Sequence, residues 1–361
     1  MWVEKGGQPS VIEKLNVVKF GGSSIRDSFW SALKLVEYLY ESSNLVVVVS
    51  ALRGVTEDLL LLAATRDREV LERISHQHLR LASRVGAEVE NLLSELEKAL
   101  NLPKTPEAEE YILSFGERLS AEIFAKALQN EGIEAVPIDA RNFLMLRGCL
   151  GNAGIDYYAS APYVRKLGEL AEEAVPVVTG FIGNLRGKTA TLGRGGSDYT
   201  ASAIGAILGA NAVLIMSDVE GIYTADPRLV PRAKLIPFLS RERALMAAKL
   251  GMKALHPKTL EPLNGIPLFL GKTETWRLGT LVAEFGEEWP IVVHRVRNGF
   301  GEIAVVGRGY VRGFTPVERG WNYSLFRVPV EELPDAVNEI HEVVVNEGLS
   351  SSDHSELWAR V

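Results

Sequence analysis

The fold is decided near the amino terminus by the stretch LNVVKFGGSS, Leu15–Ser24. Its first six residues are mostly apolar and β-branched, which predicts a short strand, and the glycine pair Gly21 and Gly22 ends that strand. The run that follows, RDSFWSALKLVEYLY, repeats apolar residues at helical spacing. A strand that passes through glycines into a helix is typical of the first unit of an α/β fold.

The same alternation continues along the chain. Residues 56–100 are rich in Leu, Glu and Arg and predict two or more helices, and one helix is expected over Glu107–Gly132. Strands that are apolar throughout are typical of a mostly parallel sheet with helices on both faces, and this is the fold class we predict. Further strands are predicted at NLVVVVSAL, EAVPID, VPVVTGF, NAVLIMS and GIPLFL.

The pattern changes after Phe285. From Ile291 onward the chain offers three strand candidates, IVVHRV, GEIAVVGRGY and NYSLFRVPV, and then the amphipathic run PDAVNEIHEVVVNEG. We therefore predict two domains, a large α/β domain over residues 1–285 and a small α+β module over residues 286–361.

Composition excludes several classes of protein. With 47% hydrophobic and 24% charged residues among 361, the chain is typical of a globular protein. Its net charge of −7 argues against a general affinity for nucleic acid. The densest apolar run, NLVVVVSAL, is far shorter than the roughly 20 residues of a membrane-spanning helix. The first residues lack the pattern of a secretory signal, so we expect no membrane and a cytoplasmic location.

Cysteine and histidine give little sign of chemistry. The single cysteine, Cys149, has apolar neighbours that favour a buried thiol over a nucleophile. His76 and His78 lie two apart in a charged helical segment, and we expect them on a solvated surface and not on a metal.

Two glycine-rich turns precede helices. The first is KFGGSS, Lys19–Ser24, and the second is GRGGSD, Gly193–Asp198. Bare glycines let backbone amides approach an anion, and a helix that starts there adds the positive end of its dipole. Neither turn matches GxxxxGK[ST] or GxGxxG, and each alone is also explained as a tight turn with a capping residue. Lys19 and Arg194 add cations that a plain turn does not need, which favours a site shared by a nucleotide and an acidic molecule.

Six motifs, taken in order, resemble those of aspartate kinases in the wider amino acid kinase family. They span roughly Asn16 to Phe285, about three quarters of the chain. The set is VVKFGGSSI, VVSALRGVT, SFGERLSA, GFIGNLRGKTATLGRGGSDYTA, SDVEGIYTADPRLVP and GMKALHP. The resemblance implies ATP-dependent phosphorylation of the β-carboxylate of L-aspartate, the first step of lysine, threonine and methionine synthesis.

The resemblance also implies roles for individual residues at the reacting phosphoryl group. Lys19 would contact that group while Gly21 and Gly22 offer backbone amides, and Lys253 would approach the nucleotide phosphates. Asp198 would orient the two lysines.

On the substrate side, Arg194 would hold the α-carboxylate of aspartate with two hydrogen bonds, and Glu117 would pair with its ammonium. The reacting β-carboxylate, with a pKa near 4, is already ionised, so no general base is required. Other positions that match the substrate side of the family site are Ser23, Thr56, Phe181 and Ser197.

The nucleotide would be ATP as co-substrate, with Mg²⁺ held mainly by its phosphates and no dedicated metal ligands in the protein. SDVEGIYTADPR resembles the loop that receives adenine and ribose. Its matching positions are Ser217, Asp218, Tyr223 and Arg228. Without the flanking motifs, Asp218 is better explained as a turn residue and Tyr223 as a core aromatic, and His256 is expected to pack or cap.

The carboxyl-terminal module resembles an ACT module but is expected to be partial or degenerate. Only VRGFTPVERGW separates two of its strands, too little for the usual helix and connection, since a three-turn helix alone takes about 11 residues. Exposed strand edges in this module predict a homodimer. Two other functions stay open, a glutamate or acetylglutamate kinase of the same fold and a non-catalytic amino-acid-binding subunit.

Overall fold

The computed structural model describes residues 14–349. The chain packs as two compact units, one running to Asp218 with the addition of Thr273–Trp276, the other made of Val219–Lys272 and the residues from Arg277 onward. The domain boundary predicted at residue 285 therefore falls inside the second unit.

The first unit alternates strands and helices as the sequence predicts. Its strands are β1 Leu15–Phe20, β2 Asn44–Val49, β3 Ala135–Ile138, β4 Leu146–Arg147, β5 Gly154–Ile155, β6 Val175–Thr179, β7 Ile182–Leu185, β8 Lys188–Thr191 and β9 Ala212–Ser217. Its helices are α1 Gly22–Asp27, α2 Phe29–Tyr40, α3 Val55–Thr65, α4 Arg68–Val85, α5 Glu90–Ala99, α6 Pro106–Leu113, α7 Phe115–Asn130, α8 Tyr157–Leu170 and α9 Gly196–Leu208.

Five of these strands form a parallel sheet in the order β9-β1-β2-β6-β3. The central strand β1 pairs with β2 from Leu15 opposite Asn44, and with β9 on its other side. Residues 45–49 of β2 are fully buried, as expected of a strand covered on both faces. The parallel α/β class predicted from the sequence is confirmed.

The helix expected over Glu107–Gly132 is two helices. The chain breaks at Ser114, which caps α6 and precedes α7, and its Oγ donates a hydrogen bond to the carbonyl of Tyr111 at 2.6 Å. Ser114 keeps right-handed helical dihedrals, so the apolar spacing runs on through the break and does not reveal it.

The second unit contains the strands that the sequence places after residue 285. The run GEIAVVGRGY forms the middle of an antiparallel sheet ordered β13-β14-β16-β15. The three predicted strands and the final helix are confirmed. The elements of this unit are β10 Phe238–Ser240, α10 Arg241–Leu250, α11 Pro257–Leu260, β11 Leu268–Lys272, β12 Arg277–Ala283, β13 Ile291–Arg297, β14 Phe300–Val306, β15 Glu318–Arg319, β16 Tyr323–Pro329 and α12 Leu333–Leu349.

One apolar core joins this small sheet to the segment around residues 225–230. Ala225 and Val230 pack with residues of β13, β14, β16 and α12, among them Val292, Phe326 and Ile340. The segment that the resemblance assigns to the nucleotide is therefore built on the same core as the carboxyl-terminal strands.

Two expectations about single residues are wrong. His78 is fully buried, and its Nδ1 lies 2.7 Å from the carbonyl of Ile74 on the inner face of α4. Cys149 is exposed, because it sits in the turn between β4 and β5 where Gly148 and Gly151 both adopt positive φ.

Within residues 14–349, no helix is both long and apolar enough to cross a bilayer.

Candidate active site

A cavity of about 470 Å³ lies in the first unit. It is found where β1 and β2 end and α9 begins, the edge of a parallel sheet at which open α/β folds bind ligands. Ten of the residues predicted for the site line it: Lys19, Gly22, Ser23, Thr56, Glu117, Phe181, Arg194, Ser197, Asp198 and Asp218.

Lys19 and Asp198 form the charged pair at the base of this cavity. Lys19 is on the central strand β1 and only 7% exposed, and its Nζ lies 2.5 Å from Oδ1 of Asp198. Asp198 occupies the first turn of α9, where the helix dipole favours a negative charge. A buried ammonium held by one carboxylate keeps further hydrogen-bond donors for an anionic ligand.

The glycines before α9 bring the backbone close to its neighbours. Gly193 and Gly195 both have φ of 73°, which L residues with a side chain rarely adopt. At Gly196 a Cβ would lie 2.9 Å from both Leu192 and Phe181. The turn therefore needs glycine for its shape, and this shape leaves Arg194 exposed beside the start of the helix.

The glycines after β1 differ in part from expectation. The amide of Gly21 already donates to the carbonyl of Met216 at 3.0 Å, so it is engaged within the protein and not offered to a phosphate. Gly22 does line the cavity, and a Cβ there would lie 2.6 Å from the carbonyl oxygen of Ala51.

Glu117 is a buried acid with one oxygen to spare. It lies in the first turn of α7 and is 3% exposed. Its Oε1 accepts a hydrogen bond from the amide of Ala51 at 3.1 Å, and its Oε2 has no hydrogen-bond partner among residues 14–349. Burial raises the pKa of Glu117 to about 8, against the lowering effects of the Ala51 amide and the Lys19 charge. A cation bound at Oε2 would favour the ionised form of this carboxyl.

Arg194 is exposed and faces the same cavity as Glu117. No carboxylate in the described part of the chain forms an ion pair with it. A guanidinium that is free of internal partners can bind a carboxylate through two parallel hydrogen bonds.

Phe181 has a left-handed backbone at the turn between β6 and β7, with φ of 68°. Its amide donates to Oγ1 of Thr200 at 3.2 Å, and its carbonyl accepts from the amide of Leu192 at 2.8 Å. These bonds fix the strained residue between the start of α9 and the glycine-rich turn, as is common at ligand sites.

Arg53 and Ser24 are among the residues at the site that the sequence patterns do not single out. Arg53 lines the cavity and its Nη1 lies 3.7 Å from Oδ2 of Asp218, and it belongs to the motif VVSALRGVT. Ser24 is buried below the first glycine turn, where its Oγ bonds to Oγ1 of Thr273 at 2.7 Å. For Ser24 the sequence gives no signal, because the partner is distant in the chain.

The other predicted residues lie outside this cavity. Ser217 ends β9, and its carbonyl accepts from the amide of Thr273 at 2.9 Å. Tyr223, Arg228 and Lys253 belong to the second unit. Tyr223 is half-buried, and Arg228 pairs with Asp226 at 2.8 Å. His256 caps α11, as expected, by accepting from the amide of Lys258 at 3.3 Å.

Fold and site together define a class of protein. A parallel α/β sheet that presents a buried lysine, a glycine-rich turn and a helix amino terminus to one cavity is an anion-binding α/β domain. The model of the amino acid kinase family matches residues 14–272, and the chain belongs to this family.

Known proteins resemble the chain over most of its length. It is 34% identical over 299 residues to lysine-sensitive aspartokinase 3 of Escherichia coli (strain K12), an alignment that covers 78% of this chain and 66% of that protein. It is 33% identical over 271 residues to the chloroplastic aspartokinase 1 of Arabidopsis thaliana, covering 68% of this chain and 47% of that one. The chain thus spans between about half and two thirds of the length of these relatives.

Solved structures agree on the fold. The crystal structure of E. coli aspartokinase III in complex with aspartate and ADP superimposes with a TM-score of 0.83 at 25% identity, covering 92% of this chain and 100% of that one. The same protein in complex with lysine and aspartate gives a TM-score of 0.74, also at 25% identity, over 91% of this chain and 99% of the other.

Proposed function

We propose that this protein phosphorylates the β-carboxylate of L-aspartate with ATP and forms 4-phospho-L-aspartate and ADP. The observation that carries the proposal is the unpartnered Oε2 of buried Glu117 in the same cavity as unpaired Arg194 and the Lys19–Asp198 pair. An acid and a guanidinium that face one cavity fit the ammonium and the α-carboxylate of an amino acid. The relatives named aspartokinase support the same substrate.

The reaction needs little covalent help from the protein. An oxygen of the ionised β-carboxylate attacks the γ-phosphorus, and the bond from that phosphorus to the oxygen bridging to the β-phosphate breaks, so that ADP leaves. Glu117 and Arg194 hold the amino acid in place, and Lys19 neutralises charge on the moving phosphoryl group. Asp198 fixes the position of the Lys19 ammonium.

We propose that Lys253, Tyr223 and Arg228, all in the second unit, bind the nucleotide, and that the Lys253 ammonium contacts its phosphates. Mg²⁺ is expected to arrive on those phosphates, since this ion is commonly bound through substrate phosphates and only one or two carboxylates. In the described part of the chain, no three His, Cys, Asp or Glu side chains gather into a metal site.

The test is a hydroxamate assay on the purified protein with ATP, Mg²⁺, L-aspartate and hydroxylamine, in which the acyl phosphate is trapped. We expect aspartyl hydroxamate, and a K19A variant is the negative control. Product no higher than in K19A would contradict the proposal, and nucleotide binding without turnover would favour a non-catalytic subunit. Glutamate and acetylglutamate in the same assay test the other kinases.

The finer assignments belong to the same proposal. We place the reaction in the synthesis of lysine, threonine and methionine, in the cytoplasm, and we propose a homodimer formed through the carboxyl-terminal strands. Light scattering at micromolar concentration tests the homodimer, and a monomer mass would contradict it.

A further inference from the structure

A charged cluster in the second unit lies outside the cavity described above. It consists of Lys253, Asp226 and His294, and we refer to it as the Lys253 cluster. Lys253 comes from the motif GMKALHP, whereas His294 is on β13 of the antiparallel sheet. The cluster therefore joins a kinase motif to a strand of the carboxyl-terminal module.

The backbone holds Lys253 close to β13. Helix α10 ends at Leu250 and is capped by Gly251, which has a φ of 126°. Because Gly251 has no side chain, its backbone can lie close to β13, and a Cβ there would be 3.1 Å from the carbonyl oxygen of His294. On the same stretch, Nη1 of Arg295 donates to the carbonyl of Lys249 at 3.2 Å. The segment that carries Lys253 is thus fixed to the strand by backbone contact and by a hydrogen bond.

The head group of Lys253 meets two acceptors. Its Nζ lies 3.0 Å from Nε2 of His294 and 3.4 Å from Oδ2 of Asp226. An ammonium has only donors, so Nε2 of His294 must accept, and the proton of the neutral ring is on Nδ1. The side chains of Asp226 and His294 are 11% and 9% exposed, while that of Lys253 is 48% exposed. Lys253 is therefore accessible to solvent while its ammonium contacts two buried side chains.

We infer that His294 is a positioning residue, whose neutral Nε2, together with Asp226, directs the ammonium of Lys253. This inference rests on the proposed contact between Lys253 and the nucleotide phosphates. A lysine head that is already directed loses less rotational freedom when the phosphates bind, which favours affinity.

Protonation of His294 undoes this arrangement. The charged groups that face the ring are Lys253, Asp226 and Arg228. Burial first, and then the Lys253 charge, lower the pKa of His294 below its ordinary value, and Asp226 raises it to a smaller extent. The ring is therefore neutral at neutral pH. When the pH falls through the pKa of His294, Nε2 gains a proton and two cations face each other at 3.0 Å.

The contact is tested first without reference to activity. The pKa of His294 is measured by NMR in the full chain, with its ring resonance assigned as the one absent from H294Q. Replacing Lys253 by Met removes a cation that faces the ring, so the pKa of His294 is expected to rise. An unchanged pKa of His294 in K253M overturns the inference.

Nucleotide affinity is tested second, by calorimetry with ADP and Mg²⁺ between about pH 5.5 and pH 8, the range in which histidine titrates. Gln places an acceptor near the position of Nε2 and does not titrate, so H294Q is expected to keep the affinity of the unmodified protein at pH 8. It should also lose affinity less as the pH falls. H294L lacks the acceptor, and its ADP affinity is expected to be about tenfold lower at pH 8.

The matched control is H76Q, because His76 is exposed in the first unit. ADP itself also titrates in this pH range, and this affects H76Q and H294Q alike. Only the difference in pH dependence between the two variants therefore reports on His294. Equal slopes in these two variants overturn the inference, and this comparison decides if H294L does not fold. If the pKa of His294 rises in K253M but the unmodified protein forms no aspartyl hydroxamate, the positioning role stands and the kinase proposal is refuted. If the unmodified protein forms the hydroxamate but the pKa of His294 is unchanged in K253M, the kinase proposal stands and the positioning role is refuted.

Discussion

Glu117 is mostly protonated at neutral pH, yet its proposed partner is an ammonium. Burial raises the pKa of Glu117 to about 8, so its ionised fraction grows as the pH rises toward that value. Since the ionised carboxyl binds the ammonium, aspartate binding must release a proton. We expect the KM for aspartate to fall about 25-fold between about pH 6.5 and pH 8.5. Steady-state kinetics with E117Q as the matched variant check this, and E117Q should have a high KM without this pH dependence.

The same residue predicts a change in stability. A carboxyl whose pKa is raised in the folded state stabilises the fold relatively more below its unfolded pKa, and this contribution is lost as the pH rises toward about 8. E117Q does not ionise, so its melting temperature relative to the unmodified protein should increase between about pH 5 and pH 8. Thermal unfolding over this range tests the sign. A constant difference would show that Glu117 ionises as easily in the folded chain as in the unfolded one.

Arg194 and Lys19 should affect different kinetic constants. R194A removes a ligand of the idle carboxylate and is expected to raise the KM for aspartate by about tenfold or more. K19A removes charge stabilisation at the transferred group and should lower kcat by roughly 10² to 10³. R165A, an exposed arginine on α8, is the control that should leave both constants unchanged. An unchanged KM in R194A would contradict this division of roles.

At the scale of elements, Glu110 on α6 holds the glycine-rich turn in place. It is 5% exposed, its Oε2 accepts from the amide of Thr191 at 2.5 Å, and the backbone of Gly151 also bonds to it. E110A leaves the amide of buried Thr191 without an acceptor, at a cost of about 1–3 kcal/mol. Because the turn carries Arg194, E110A should raise the KM for aspartate more than it lowers kcat. E109A, an exposed neighbour on the same helix, should match the unmodified protein.

The elements that the sequence predicts well are those whose pattern has one explanation. The apolar runs of β1, β2, β6 and β9 fit a buried strand only, and the structure places all four in one parallel sheet. The hairpin of β7 and β8 was not predicted, since its residues IGNLRGKTAT mix polar and small side chains. The fully buried His78 was also missed, because the charged residues around it face solvent while its own position faces inward.

At the site, sequence reasoning finds residue types but not partners. The motifs identify Lys19, Asp198 and Glu117, and the cavity brings them together. Local pattern gives no information that the Gly21 amide bonds to Met216, or that Ser24 bonds to Thr273. Such contacts join residues far apart in the chain, and they depend on how strands are ordered in the sheet.

For the whole molecule, the change in sequence pattern after Phe285 does not coincide with the boundary between the two compact units. The boundary predicted at residue 285 follows the change from parallel α/β elements to an antiparallel sheet. The packing instead divides the chain after Asp218, because Ala225 and Val230 join the core formed with β13, β14, β16 and α12. Helix α12 adds a polar contact, with Nε2 of His341 at 2.8 Å from Oγ1 of the buried Thr224.

Because α12 shares a core with Ala225 and Val230, we predict that a destabilising substitution in α12 first reduces the hydrogen-exchange protection of the segment around residue 225. I340A removes a side chain that is 1% exposed in the core of the second unit, at a cost of about 2–5 kcal/mol. Hydrogen exchange read by mass spectrometry should then show lost protection in residues 219–230 and little change in residues 191–208. I123A, fully buried on α7, is the matched variant and should give the opposite pattern. Equal loss in both segments for both variants would mean that the two units open together as one cooperative block.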